Sequence, residues 1–139
     1  MNARDIPARP DPLVVGPVTR TDFVRYQGAS GDMQPVHHDE EFARQAGHPS
    51  PFSVGMYQGG LLGAWVARWF GVENVRRYRM RFAERVWPGD VLTCTGEVTG
   101  WRTGDDGLEV DLELRCIRQN GDVAVEGWAM CVVPCARAA

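Results

Sequence analysis

Between Arg77 and Val86 the apolar residues Tyr78, Met80, Phe82 and Val86 alternate with Arg77, Arg79, Arg81 and Arg85. A period of two sends successive side chains to opposite faces, so this run predicts a strand with one buried and one wet face. The pattern returns over 109–118, where Val110, Leu112, Leu114 and Cys116 alternate with Glu109, Asp111, Glu113 and Arg115. Further strands are predicted over 91–101, after a Trp87-Pro88-Gly89-Asp90 turn, and over 123–133, after the hairpin-type turn Asn120-Gly121-Asp122. The second half of the chain therefore reads as an antiparallel meander.

The first half has the helical period instead. A short apolar run, Leu13 to Val18, suits a strand, and Thr19 with Asp22 matches the capping pattern that opens a helix over about 20–29. Asp39 is placed to cap a second, short helix that ends by Gly47. From Gly55 to Phe70 the segment GMYQGGLLGAWVARWF is apolar on nearly every side, which predicts a buried helix. Its glycines, Gly59, Gly60 and Gly63, each cost about 1 kcal/mol of helix propensity relative to alanine, so something must pack very close to them. This helix is the element able to cover one face of the meander. The expected fold is α+β: an antiparallel sheet wrapped around a long central helix, the hotdog arrangement. Residues 1–12, with three prolines and mixed charge, are expected to be a flexible arm, and 13–135 a single domain.

Composition narrows the function classes. At 139 residues the chain can bury one self-sufficient core. A net charge of −3 lacks the basic footprint that nucleic-acid binding draws on. No apolar run has the length or flanks of a signal peptide or a membrane span, so a soluble, cytoplasmic protein is expected, with no nucleic-acid or membrane partner. Cys94, Cys116, Cys131 and Cys135 form no C-x-x-C pair and have no matching histidine spacing, which predicts reduced cysteines and no metal or redox cofactor.

Candidate chemistry concentrates in Gly31-Asp-Met-Gln-Pro-Val-His-His-Asp39, which holds two of the chain's three histidines. A carboxylate and an imidazole five residues apart could share acid and base work. Taken alone, such a Gly-Asp-x-x-Pro-x-His run is more often a capped turn. A metal site from Asp32, His37, His38 and Asp39 matches no established ligand spacing. His48, beside two prolines, is expected to be an exposed loop residue, and His38 to point away from His37 and serve a structural role.

These residues together resemble the MaoC-like family of (R)-specific enoyl-CoA hydratases and hydroxyacyl-thioester dehydratases, which have the hotdog fold. Ser30-Gly31-Asp32, Pro35, His37 and Asp39 resemble the family's S-G-D-x-N-P-x-H-x-D signature, Gly55-Met56 its later helix opening, and Arg81-Phe82 with Pro88-Gly89-Asp90 its following strand and turn. The resemblance covers roughly 13–133. It implies that Asp32 and His37 are the catalytic pair, and that the Gly55 amide donates into an oxyanion hole within a substrate site that includes Val54, Met56 and Gly63. The implied reaction is reversible hydration of a trans-2-enoyl thioester of coenzyme A or acyl carrier protein, by a homodimer or larger homo-oligomer.

Gln34 stands where the family usually has Asn, Val54 where many members have His, and Gly63 where some have Ser; these changes would alter and widen the pocket wall. Arg79 and Arg81 are candidate phosphate contacts, with a solvated strand face balanced by Glu109, Asp111 and Glu113 as the simpler account. Two other functions are open. The chain could be a subunit that pairs with a different hotdog chain to act on a bulky, steroid-like enoyl-CoA, weak or inactive alone. A thioesterase, releasing free coenzyme A, is the other; the Ser-Gly-Asp signature counts against it.

Overall fold

The computed structural model describes residue 6 and residues 9–134. Among these, α1 (Arg20–Ser30), α2 (Glu40–Gln45) and α3 (Gly55–Phe70) accompany five strands: β1 (Leu13–Val15), β2 (Val75–Phe82), β3 (Leu92–Gly104), β4 (Gly107–Arg118) and β5 (Val123–Val133). The strands form one sheet in the order β1-β3-β4-β5-β2, every pairing antiparallel. The sheet curls around α3, which packs against β2, β3, β4 and β5. The expected hotdog arrangement is the one observed.

A row of paired residues explains how helix and sheet fit. Gly96 pairs with Leu114, Leu114 with Gly127, and Gly127 with Met80. A side chain at Gly96 would meet the Trp65 ring at 3.2 Å, and one at Gly127 would meet Leu62 at 3.1 Å. At the other end of the row the roles reverse, with Met80 lying against Gly59. The sheet is bare where the helix is bulky, and the helix is bare where the strand is bulky. Interiors packed near crystal density reward such complementarity and tolerate little deviation from it.

Several expected boundaries move. β1 stops at Val15 because Gly16, at φ 130°, lies so close to the Asp90 carbonyl that a Cβ would sit 2.7 Å from it. Val18 then rejoins the turn through Val18 N–H to Asp90 O (2.8 Å) and Gly89 N–H to Val18 O (2.7 Å). β2 begins at Val75 and ends at Phe82, after which the amides of Ala83 and Glu84 both turn toward the Ala124 carbonyl. Phe82, expected on the buried face, is 51% exposed. α3 is not covered all round either: Met56, Gly60, Ala64 and Arg68, four residues apart in turn, form an open stripe. The Asp105-Asp106 hairpin between β3 and β4 had no hydrophobic pattern to reveal it. The arm expected over 1–12 lies largely outside the described residues, although Ile6 is buried in the core and the Asp11 carbonyl accepts the Trp65 indole N–H at 3.0 Å.

Cys94, Cys116 and Cys131 are free and buried, packed as small apolar residues in the sheet; Cys135 lies outside the described residues. Burial pushes the Cys131 thiol up to about 11. The arginine face of β2 is balanced differently from the expectation: Glu109 and Asp111 pair with Arg102, while Arg81 pairs with Glu126 of the adjacent β5. β5 separates β2 from β4 in the sheet, so the acids of β4 face the neighbouring β3 instead.

Candidate active site

Thr19 starts α1 through a reciprocal capping box with Asp22, and Gly31 stops it by taking φ 78°, a left-handed conformation that side chains disfavour. The chain is thereby delivered into Asp32. One oxygen of that carboxylate, Oδ1, accepts the Gln34 amide at 3.3 Å and closes a small turn. Pro35 then opens a single 3-10 turn, Pro35–His37, which sequence periodicity did not reveal. This turn swings His37 back toward the start of the loop, and its Nε2 lies 4.0 Å from Asp32 Oδ2.

The other ring nitrogen of His37 is committed. Nδ1 lies 2.8 Å from the Phe52 carbonyl, which can only accept, so Nδ1 donates and holds the proton. Nε2 then presents its lone pair toward Asp32 in the neutral imidazole. His37 is buried with 10% of its side chain exposed, whereas 43% of the Asp32 side chain faces solvent. The ring is wedged edge-on against Phe52 at 5.1 Å between centroids. His48, expected to be exposed, is half-buried and packs against the same cluster, 4.9 Å from Phe52 and 6.5 Å from Trp87.

A cleft of about 420 Å³ opens beside the pair. Asp32, Phe52, Val54, Gly55, Met56 and Phe82 line it, together with Glu84 and Arg85. Its wall includes the start of α3, where Val54 occupies the capping position and offers no side-chain hydrogen bond. The first amides of a helix have no partner within it, and the helix dipole adds partial positive charge there. Ser53, one residue earlier, is spent internally, donating to Gln58 Oε1 at 2.8 Å.

Of the residues singled out from sequence, Asp32, Val54, Gly55 and Met56 line the cleft and His37 faces Asp32 at its edge. Gly63 faces the Tyr78 ring of β2. Arg79 and Arg81 lie on the outer face of the sheet, Arg81 held by Glu126 through Nε (2.9 Å) and Nη2 (2.7 Å). Arg85 is the arginine in the cleft, its guanidinium 5.2 Å above the Phe52 ring. Asp39 caps α2 by accepting the Phe42 amide at 2.9 Å, and His38 turns to Gln27. Among the described residues no three His, Cys, Asp or Glu side chains converge closely enough to hold a metal ion. Gln27 was missed in the sequence; its one signal was a polar residue placed where a short helix buries its inner face.

The fold is that of the hotdog proteins, and the loop and helix start border one cleft. Residues 5–119 match the MaoC like domain, and the chain belongs to that family. It is 37% identical over 129 residues to 3-hydroxyacyl-thioester dehydratase Y of Mycobacterium tuberculosis, covering 81% of this chain and 43% of that protein. It is 27% identical over 132 residues to mouse peroxisomal multifunctional enzyme type 2, covering 93% of this chain and 17% of that one. The chain thus spans less than half the length of these curated relatives. Among solved structures, a chain of the ChsH1-ChsH2 complex from Mycobacterium tuberculosis superposes with a TM-score of 0.78 at 22% identity, over 92% of this chain and 97% of that one. No helix among the described residues is long and apolar enough to cross a membrane.

Proposed function

We propose that the chain is a hydro-lyase that adds water reversibly and (R)-specifically to a trans-2-enoyl thioester of coenzyme A or acyl carrier protein. The observation that carries this reading is the 4.0 Å separation of Asp32 Oδ2 and His37 Nε2, with His37 Nδ1 already bonded to the Phe52 carbonyl. The gap is too long for a direct hydrogen bond and suits one water donating a hydrogen to each acceptor. Both hydrogens of that water would point at the pair, leaving an oxygen lone pair for C3 of the substrate. As the C3–O bond forms, the water gives one proton to the pair, and C2 receives one proton from it. Charge that builds on the thioester oxygen would be met by the Gly55 amide at the open start of α3. The stereochemical part of the reading rests on the family resemblance, and the thioester chemistry is supported by the name of the mycobacterial relative. The cytoplasm is the compartment we expect, with a peroxisome, as in the mouse relative's name, the alternative.

Arg85 is the cation we assign to a phosphate of the thioester carrier, ahead of Arg79 and Arg81, because it is the arginine that lines the cleft. The test is hydration of a short 2-enoyl-CoA, followed by loss of enoyl absorbance, in the wild type and in folded Asp32→Asn and His37→Ala variants. A fall of about a hundredfold or more in both is expected, within the usual range for acid–base groups. Unchanged activity in either variant would sink the mechanism.

A second reading is favoured by the surface of the single chain. Phe82 and Met56 are exposed apolar residues at the cleft, and the open stripe of α3 runs on from Met56. Exposed apolar area beside a site is what a partner chain covers. A second copy is the simplest partner, and a different hotdog chain is the alternative; the structural neighbour named ChsH1-ChsH2 is itself a complex of two named components. If the purified chain is inert on short thioesters yet becomes active when mixed with such a chain, the heteromeric reading replaces the homomeric one.

A further inference from the structure

Gln27 lies in the last turns of α1 and is 1% exposed, an unusual setting for a carboxamide. The three hydrogen bonds of its side chain all go to one loop. Its Nε2 donates to the Asp32 carbonyl at 2.8 Å and to the Gln34 carbonyl at 3.2 Å. Its Oε1 lies 3.0 Å from His38 Nδ1. The amide can face only one way, because a flipped group would set its oxygen against two carbonyl oxygens. Oε1 is therefore an acceptor, and His38 Nδ1 must carry the proton given to it.

The consequence is a brace around the acid–base loop. The two carbonyls held by Gln27 belong to Asp32 and to Gln34, whose own amide is bonded to Asp32 Oδ1. The Gln34 carbonyl also accepts the His37 amide at 3.1 Å, which starts the turn that aims the imidazole. On the far side His38 follows His37 directly, so fixing its ring restrains the end of the same turn. We propose that Gln27 and His38 act as a positioning pair that sets the distance between Asp32 and His37, and through it the site of the attacking water. The proposal rests on the reading of Asp32 and His37 as the catalytic pair, and neither Gln27 nor His38 need touch substrate.

The test uses the full chain with Gln27→Leu, which removes all three bonds at similar length, and Gln27→Glu, which keeps the acceptor for His38 but loses both donors. His38→Ala and the double variant Gln27→Leu/His38→Ala complete the set. With a 2-enoyl-CoA substrate, both Gln27 variants are expected to lose kcat by roughly ten- to hundredfold, the scale of a small misplacement of reacting groups, with KM changed by less than about threefold. His38→Ala should lose less than about tenfold, and the double variant should be no worse than Gln27→Leu, since both substitutions dismantle one brace.

A second readout does not depend on turnover. With only three histidines in the chain, nitrogen NMR of the imidazoles can follow each ring. The wild type should have His38 in the Nδ1–H form, and Gln27→Leu should lose that preference and shift the His37 signals. Full kcat in folded Gln27→Leu, or a rise in KM alone, would overturn the proposal. Should Gln27→Leu not fold, Gln27→Glu decides on the same criteria. If the wild type hydrates no thioester, the proposed activity falls, and the NMR arm judges the brace separately: unmoved His37 signals in Gln27→Leu reject it, and shifted ones sustain it.

Discussion

Arg81 and Arg85 are the same residue type four positions apart, yet they stand in opposite surroundings. Arg81 is neutralised on the outer sheet face by Glu126. Arg85 lies over the Phe52 ring at the cleft, with no carboxylate within ion-pair distance among the described residues. Sequence alternation put both on one strand face. It could not foresee that β2 ends at Phe82, although Glu84 falls where the alternation calls for an apolar residue. That Asp32 and His37 would meet could be expected because both lie in one short loop around Pro35, while the role proposed for them came from the family resemblance. Gln27 was not legible, because its three partners become neighbours only once the loop folds back on α1. For Arg85→Gln, KM for a 2-enoyl-CoA should rise by about tenfold with kcat nearly unchanged, the loss of one charge-assisted contact to a phosphate. The N-acetylcysteamine thioester of the same acyl group carries no phosphate and should be hydrated equally well by both proteins. An equal loss on both substrates would mean that Arg85 does not read the carrier.

The glycines of α3 belong to the scale of elements. Gly55, Gly59 and Gly63 face Phe82, Met80 and Tyr78 in turn. Four helical residues advance about 6 Å and two strand residues about 6.6 Å, so the two series stay in step along the contact. The Tyr78 hydroxyl reaches the helix itself, donating to the Gly59 carbonyl at 2.7 Å, and burial pushes its phenol well above the usual range. The sequence foretold the helix and a close neighbour at Gly59 and Gly63, but Gly60, grouped with them in that expectation, is exposed. Which neighbour it was depended on sheet order, and no local pattern contains that. The same reasoning separates two substitutions. A Cβ at Gly60 meets nothing nearer than the Tyr26 hydroxyl at 4.0 Å, so Gly60→Ala should gain about 0.5–1 kcal/mol from helix propensity. At Gly63 a Cβ would lie 3.3 Å from a Tyr78 ring that its own hydrogen bond holds in place, and Gly63→Ala should lose about 1 kcal/mol. Urea unfolding of the two variants checks the contrast; similar shifts in both would refute the packing argument.

At the scale of the whole molecule, the sheet order rests on more than its ladders. As a sequence signal the Pro88-Gly89-Asp90 turn is weak, yet Asp90 is a buried junction between distant segments. Its carboxylate accepts Arg118 Nε at 2.8 Å, Gln119 Nε2 at 2.9 Å and the Trp87 amide at 2.8 Å, while its carbonyl accepts the Val18 amide at 2.8 Å. The end of β4, the turn before β3 and the lead into α1 therefore meet at one residue. Burial alone would raise the Asp90 pKa, but the bonds from Arg118, the Trp87 amide and Gln119 outweigh it and hold the group below its ordinary value of 3.8. A depressed folded-state pKa means that the ionised carboxylate stabilises the fold above pH 3.8, and that this contribution is lost as pH falls below it through the folded value. Asp90→Asn leaves Arg118 facing a neutral partner in a site with little solvent, and should cost about 3 kcal/mol at pH 7, the lower end for a broken buried pair. Urea unfolding from pH 7 to pH 3 should find the wild type weakening faster in acid than the variant, so that the gap between them narrows below pH 3.8. A gap that stays constant across the range would mean that the charge of Asp90 contributes nothing and only its shape matters.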